Sequence, residues 1–107
     1  MGLISAFQSS GLWPPTVPTV VLAESLSGHP RTDVPVSRLI KLCEVDERVP
    51  RSAARRAGEL RALAKRGSAV DAIVVALAEP GGAVLTGDLS DMRALAAHAD
   101  NVHVYRV

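Results

Sequence analysis

The alternation of hydrophobic and polar positions predicts short strands and helices along the chain. Apolar residues recur at helical spacing over residues 50–65, and a proline at the first position favours a helix start. Residues 69–78 (AVDAIVVALA) are apolar nearly all round, which predicts a buried helix capped by Ser68. Residues 82–86 read as a buried strand, and residues 102–107 alternate with the period of a terminal strand.

Turn residues divide the remaining chain into shorter elements. Prolines near residue 15 favour extended backbone, and residues 1–12 are weakly patterned. A short strand is predicted over 16–19, and Pro18 confines it to a strand start or a sheet edge. The other predicted elements are a helix over 20–26, a polar loop over 29–35, an amphipathic helix over 36–42, a brief strand within 43–49 and a helix over 92–97. This order predicts an α/β fold with an open parallel sheet and helices on both faces.

Length and composition are typical of one small globular domain over residues 1–107. Residues 1–17 form an atypical N-terminal segment of this domain. Phe7, Trp13 and Tyr105 are the aromatic residues, so the core must be aliphatic. The formal charge of +1 does not by itself indicate a nucleic-acid or membrane partner. The single cysteine, Cys43, excludes an internal disulfide and fits a reducing cytoplasm. No apolar run approaches the ~20 residues of a membrane span, and the start lacks signal-peptide features, so we expect a cytoplasmic protein.

Four acidic residues fall at predicted element ends: Glu24, Asp71, Asp88 and Asp91. Ligand sites of parallel α/β sheets form outside the carboxyl ends of the strands, where these residues can meet. Carboxylates are the ligands that Mg²⁺ prefers, and neighbouring metals can activate water for phosphodiester cleavage. Acids at helix starts are also common as caps, so spacing alone leaves a metal site and capping as open alternatives.

The sequences around these acids resemble a known family. VPTVVLAES contains Glu24, SAVDAIVVALAE contains Asp71, and AVLTGDLSDMRAL contains Asp88 and Asp91. In order and spacing they resemble the last three acidic motifs of PIN-domain proteins, which include the VapC toxins of bacterial toxin-antitoxin pairs. The resemblance extends from about residue 18 to residue 107 and includes the arginine-rich helix and the closing VHVYRV.

This resemblance implies a doubly wound, three-layer fold and a metal-dependent endoribonuclease. It implies that Glu24, Asp71 and Asp88 are catalytic acids that bind Mg²⁺ or Mn²⁺, that Asp91 is a further metal-site acid, and that Thr86 helps to orient the site. The metal would generate a hydroxide that attacks an RNA phosphodiester. The implied partners are the RNA substrate, a cognate antitoxin and a second copy of the chain in a homodimer, with no membrane.

The chain departs from the family at its start. PIN domains open with a central strand that ends in a metal-binding Asp, whereas residues 1–23 contain no Asp or Glu. Residues 3–7 (LISAF) can fill part of this gap without supplying the acid. We therefore expect an N-terminally incomplete sheet, either as a shortened reading of a longer protein or as a degenerate remnant. The rival function is a non-catalytic PIN-like module that binds proteins or forms oligomers.

The predicted helix over residues 50–65 carries a basic face that has two interpretations. Arg48, Arg51 and Arg55 are candidates for contact with RNA phosphates or with an antitoxin. A solvated helix face is the competing explanation, since Glu44, Glu47 and Glu59 dilute the positive charge.

Overall fold

A computed structural model describes residues 5–7, 16–19, 21, 28–41, 44–46, 48–87 and 89–106. The strands are β1 (Ser5–Phe7), β2 (Thr16–Pro18), β3 (Glu44–Asp46), β4 (Ala83–Thr86) and β5 (His103–Arg106). The helices are α1 (Pro30–Ile40), α2 (Arg51–Ala64), α3 (Ala69–Ala78) and α4 (Leu89–Ala96). The fold is therefore mixed α/β, and the expected helix over residues 20–26 lies largely outside the described residues.

The five strands form one sheet in the order β3-β2-β1-β4-β5. β2 pairs with β3 and β4 pairs with β5 in parallel, whereas β1 is antiparallel to both of its neighbours. The prediction of a purely parallel sheet is wrong at β1. Only eight residues separate β1 from β2, and a parallel crossover needs about a dozen or more, so adjacent strands joined this closely run antiparallel.

β1 occupies the centre of the sheet, where the sequence led us to expect a gap. Ala6 pairs with Thr16 on one side and with Val84 on the other. This strand lies within the LISAF segment and supplies a central strand without an acidic residue. The expectation of an incomplete sheet is therefore corrected: the central position is filled, by a strand of reversed direction.

Helix α3 agrees with the sequence prediction at both ends, and it is the most buried helix of the described chain. Ser68 is its N-cap, and five of its ten residues are buried. The aliphatic core around it comprises Val21, Ala57, Leu60, Ala72, Val74, Val75, Ala76, Ala78, Val84, Met92 and Leu95. Helix α2 contributes Ala57 and Leu60 to this core, so α2, α3 and α4 share one hydrophobic interior.

Three helix starts differ from the sequence predictions. Helix α1 begins at Pro30, so the expected polar loop over residues 29–35 is wrong. Proline is compatible with a first helical position, and the Asp33 carboxylate accepts the N–H of Gly28 at 2.7 Å. Pro50 is the N-cap of α2 and not its first helical residue. Helix α4 starts at Leu89, three residues before the predicted start.

Within the described part of the chain, no helix is both long and apolar enough to cross a membrane.

Candidate functional site

The structure places three of the five predicted site residues. Asp71 lies in the first turn of α3, Asp91 lies in the first turn of α4, and Thr86 is the last residue of β4. Glu24 and Asp88 lie outside the described residues, so their predicted roles stay predictions.

Asp71 belongs to a capping box at the start of α3. The Ser68 Oγ accepts the N–H of Asp71 at 3.0 Å, and the Asp71 Oδ2 accepts the N–H of Ser68 at 3.3 Å. These bonds satisfy two backbone donors that have no partner within the helix. The carboxylate thus has a structural task. A carboxylate offers about four acceptor positions, however, so this bond leaves acceptor capacity for a cation.

Asp91 is paired with Arg66. The Arg66 Nε donates to Asp91 Oδ1 at 2.8 Å, and the Arg66 Nη2 donates to Ser90 Oγ at 3.2 Å. The side chains of Arg66 and Asp91 are 52% and 35% exposed, so the pair adds little to the stability of the fold. Its consequence is electrostatic, because the guanidinium offsets the negative charge that Asp91 would offer to a metal ion.

Arg66 also connects the starts of two helices. It lies two residues before Ser68, the N-cap of α3, while its side chain reaches the first turn of α4. The intervening Gly67 has a φ of 93°, and a Cβ at this position would lie 2.7 Å from Leu95 Cδ1. The turn between α2 and α3 therefore packs directly against α4, and the Arg66 side chain reaches from this turn to the helix start that carries Asp91.

The same region adjoins the carboxyl end of β4. Thr86 ends this strand and is fully buried, and α4 begins three residues later. The opposite end of α3 lies by the start of β4, where the Gly82 N–H donates to the Ala78 carbonyl at 2.8 Å. A helix whose end leads directly into a strand typically runs back along that strand, so we expect the start of α3 to lie near the strand end that carries Thr86.

The donor chemistry of this region fits a hard divalent cation only in part. Asp71 and Asp91 provide carboxylate oxygens, which Mg²⁺ and Mn²⁺ prefer, yet one carboxylate caps α3 and the other is paired with Arg66. Among the residues that the structure describes, no group of three or more His, Cys, Asp or Glu side chains is arranged to hold a metal ion. Asp71 and Asp91 are thus the described part of a predicted four-acid set.

A second charged network lies at the other end of α3 and was not predicted. The Arg56 Nε donates to Glu79 Oε1 at 2.9 Å, and the Arg56 Nη2 donates to Glu79 Oε2 at 2.9 Å. Glu79 also accepts the N–H of Asp100 at 2.7 Å, while Arg56 donates to the His98 carbonyl at 3.1 Å. We call these four residues the Arg56 clamp.

The Arg56 clamp holds three parts of the fold together. It joins α2 to the turn after α3 and to the turn before β5. The hydrogen bonds from Arg56 lower the pKa of the Glu79 carboxyl, and the same pairing raises the pKa of the Arg56 guanidinium. Arg56 and Glu79 are 23 positions apart in sequence, so no local pattern indicated their contact. The position of the clamp at the α3 C-terminus gives it a structural role, away from the candidate site.

Comparisons with protein-family models, with curated proteins and with solved structures give no match to this chain.

Proposed function

We propose that the chain is a PIN-like, metal-dependent endoribonuclease of the VapC toxin type. In this proposal Glu24, Asp71 and Asp88 bind Mg²⁺ or Mn²⁺, and Asp91 lies at the edge of the site. The observation that supports it best is that Arg66, two residues before the N-cap of α3, contacts Asp91 in the first turn of α4. This contact links the starts of the helices that carry two acids 20 positions apart in sequence.

The protein residues would prepare the site for RNA cleavage in distinct ways. The bond from the Ser68 N–H holds one Asp71 oxygen, which fixes the direction of the carboxylate and leaves the other oxygen for a ligand. Arg66 supplies a positive charge beside Asp91 that can move to a substrate phosphate, because arginine forms strong paired bonds with phosphate oxygens. A bound Mg²⁺ or Mn²⁺ would supply the chemistry that activates water at neutral pH.

Four further features of the proposed function follow from the resemblance to PIN-domain proteins. They are a three-layer arrangement with helices on both faces of the sheet, a homodimer, a cognate antitoxin as partner and a cytoplasmic location. The reversed direction of β1 is a departure from the family's arrangement that the proposal has to accommodate.

A non-catalytic PIN-like module is the second candidate, and two observations favour it. Residues 1–23 provide no acid for the first metal-binding position of the family. Asp71 and Asp91 each have a structural partner within the described fold, Ser68 and Arg66. On this alternative the acids are caps and ion pairs, and the domain binds a protein partner or a second copy of itself.

An RNA cleavage assay separates the two candidates. The chain is incubated with RNA in Mn²⁺ or in excess EDTA and compared with an Asp88→Ala variant purified in the same way. The nuclease proposal predicts metal-dependent cleavage that is lost in Asp88→Ala. Equal cleavage by the chain and the variant would remove Asp88 from the mechanism, and no metal-dependent cleavage by the parent chain would favour the binding module.

A further inference from the structure

Positive charge is concentrated on one segment of the chain. Residues 51–66 contain six Arg or Lys residues and one acid, Glu59, which gives a net charge of +5. Because the whole chain carries +1, the other 91 residues carry a net −4. The small overall charge therefore conceals a strong separation of charge between α2 with its following turn and the rest of the protein.

Two of these six cations are engaged by acids. Arg56 is bonded to Glu59 and Glu79, and Arg66 is bonded to Asp91. The other four are Arg51, Arg55, Arg61 and Lys65. All four are exposed, and none forms a salt bridge with an acid of the described residues. We call these four residues the α2 basic track.

The α2 basic track lies on the side of the helix that faces away from the core. At 3.6 residues per turn, Arg51, Arg55 and Arg61 fall within about 120° of the helix circumference, and Lys65 follows at the helix end. The positions between them on this arc are Ala54, Gly58 and Ala62, which are all exposed. Since their side chains are small, a ligand backbone can approach the helix closely between the cations.

The α2 basic track is long enough to contact several phosphates of one nucleic-acid strand, and its C-terminal end lies next to the candidate site. From residue 51 to residue 65 the helix rise gives a span of about 21 Å, which corresponds to roughly six phosphates of a strand with stacked bases, at ~3.4 Å per nucleotide. The end of the track is followed directly by Arg66, whose guanidinium contacts Asp91 in the first turn of α4. The cations thus extend outward from the acids that we propose as part of the nuclease site.

We infer that the α2 basic track binds the phosphate backbone of single-stranded RNA and guides it towards Asp71 and Asp91. The choice of RNA as the polyanion rests on the proposed function, whereas the binding surface rests on the position and exposure of the four cations. Such contacts involve the phosphates and not the bases. The affinity is therefore independent of the nucleotide sequence and falls as the salt concentration rises.

Fluorescence anisotropy with a labelled single-stranded RNA of about 12 nucleotides, twice the length that the track covers, tests the inference. Binding is measured in EDTA, so that cleavage does not interfere. The Arg51→Ala/Arg55→Ala variant removes two cations that form no salt bridge within the described part of the chain, and it replaces them with a good helix former, so the fold should persist. The matched control is Arg31→Ala/Arg38→Ala, which removes the same charge from exposed positions of α1.

The expected result is that Arg51→Ala/Arg55→Ala raises the Kd roughly tenfold. It should also reduce the slope of log K against log salt by about 1.4, since each lost phosphate contact removes about 0.7 from the slope for single strands. The control variant should retain the parent Kd within about twofold. Equal weakening in both variants would show a general charge effect and overturn the inference, as would unchanged binding by Arg51→Ala/Arg55→Ala.

Polyglutamate serves as a second probe, because an acidic protein segment is the competing occupant of a basic helix face. Tighter binding of polyglutamate than of RNA at equal salt would overturn the RNA assignment. The two proposals can be contradicted independently. If RNA binding depends on the track but no cleavage occurs, only the nuclease proposal is contradicted. If cleavage occurs but RNA binding does not depend on the track, only the role of the track is contradicted.

Discussion

Ser68 and Asp71 bond to each other's backbone at the start of α3, with Asp71 N–H to Ser68 Oγ at 3.0 Å and Ser68 N–H to Asp71 Oδ2 at 3.3 Å. Asp71 is therefore both a capping residue and a candidate metal ligand. The two roles depend on different chemistry, because capping needs an acceptor oxygen whereas binding of a divalent cation is favoured by the full negative charge. Substitutions can separate them.

Ser68→Ala should weaken the fold without removing the candidate ligand. It deletes the acceptor for the Asp71 N–H, and loss of an N-cap typically costs about 1 kcal/mol of the free energy of unfolding. For a chain of this size the Tm should fall by roughly 4–8 °C. Asp71→Asn keeps an acceptor oxygen and should lower the Tm less. A larger loss in Asp71→Asn than in Ser68→Ala would contradict the described cap.

Gly67→Ala and Gly58→Ala should change stability in opposite directions. At Gly67 the φ of 93° disfavours any residue with a side chain, and an added Cβ would lie only 2.7 Å from Leu95 Cδ1. Leu95 is fully buried and cannot move aside freely. We expect a loss of about 2 kcal/mol in the free energy of unfolding. Gly58 lies inside α2 with open space at its Cβ position, so alanine there should add about 0.5–1 kcal/mol. Urea unfolding measures both, and a stable Gly67→Ala variant would contradict the close packing of this turn on α4.

The Arg56 clamp should contribute strongly to stability at neutral pH. Arg56→Ala leaves the mostly buried Glu79 carboxylate without its guanidinium partner, and hydrogen bonds to charged groups contribute about 1.5–3 kcal/mol. The neighbouring Arg55 has no salt bridge in the described chain, so Arg55→Ala should change the free energy of unfolding by less than about 0.5 kcal/mol. Equal unfolding curves for the two variants would exclude the clamp as a stabilising element.

The clamp also predicts a direction for the pH dependence of stability. Arg56 lowers the pKa of Glu79 in the folded state below its usual value of 4.5. A group whose pKa is depressed on folding contributes stability that is fully present above the unfolded pKa and is lost as the pH falls through the folded pKa. The stability difference between the parent chain and Glu79→Gln should therefore be largest near neutral pH and should shrink on acidification below the usual pKa. A difference that grows on acidification would have the wrong sign for this pairing.

Arg66→Gln should strengthen metal binding if Asp91 belongs to the site. The substitution removes the positive charge 2.8 Å from Asp91 Oδ1, and an opposite charge at this distance weakens the attraction of the carboxylate for a cation. Arg38→Gln on α1 removes an equal charge from an exposed position and is the control. Calorimetric titration with Mn²⁺ measures the affinities. Equal affinity of Arg66→Gln and Arg38→Gln would place Asp91 outside the site.

Local sequence signals predicted some elements well. Helix α3 was predicted with both ends correct because its cap, its apolar residues and its length are all encoded within residues 68–78. The start of α1 was missed because Pro35 argues locally against a helix, although Pro30 and Asp33 support a helix start further upstream.

Features that depend on distant residues could not be predicted in the same way. The direction of β1 is set by its pairing with β2 and β4, which the short run SAF does not encode. The contacts of Arg56 with Glu79 and of Arg66 with Asp91 join residues 23 and 25 positions apart. For the candidate site, the sequence predicted that Asp71 starts a helix, and it also indicated that acids at helix starts are often caps. The structure shows that Asp71 belongs to the capping box of α3, and one oxygen can serve this box while the other is available to a cation.

Binding of Mn²⁺ to the intact chain is the most direct test of the proposed acid site. Electron paramagnetic resonance measures free Mn²⁺ during a titration of the parent chain, Asp71→Asn and Ser68→Ala. If Asp71 is a ligand, Asp71→Asn should weaken binding at least tenfold, while Ser68→Ala should retain the parent affinity although its fold is less stable. Equal Mn²⁺ affinity of Asp71→Asn and the parent chain would contradict the metal site and leave Asp71 as a helix cap alone.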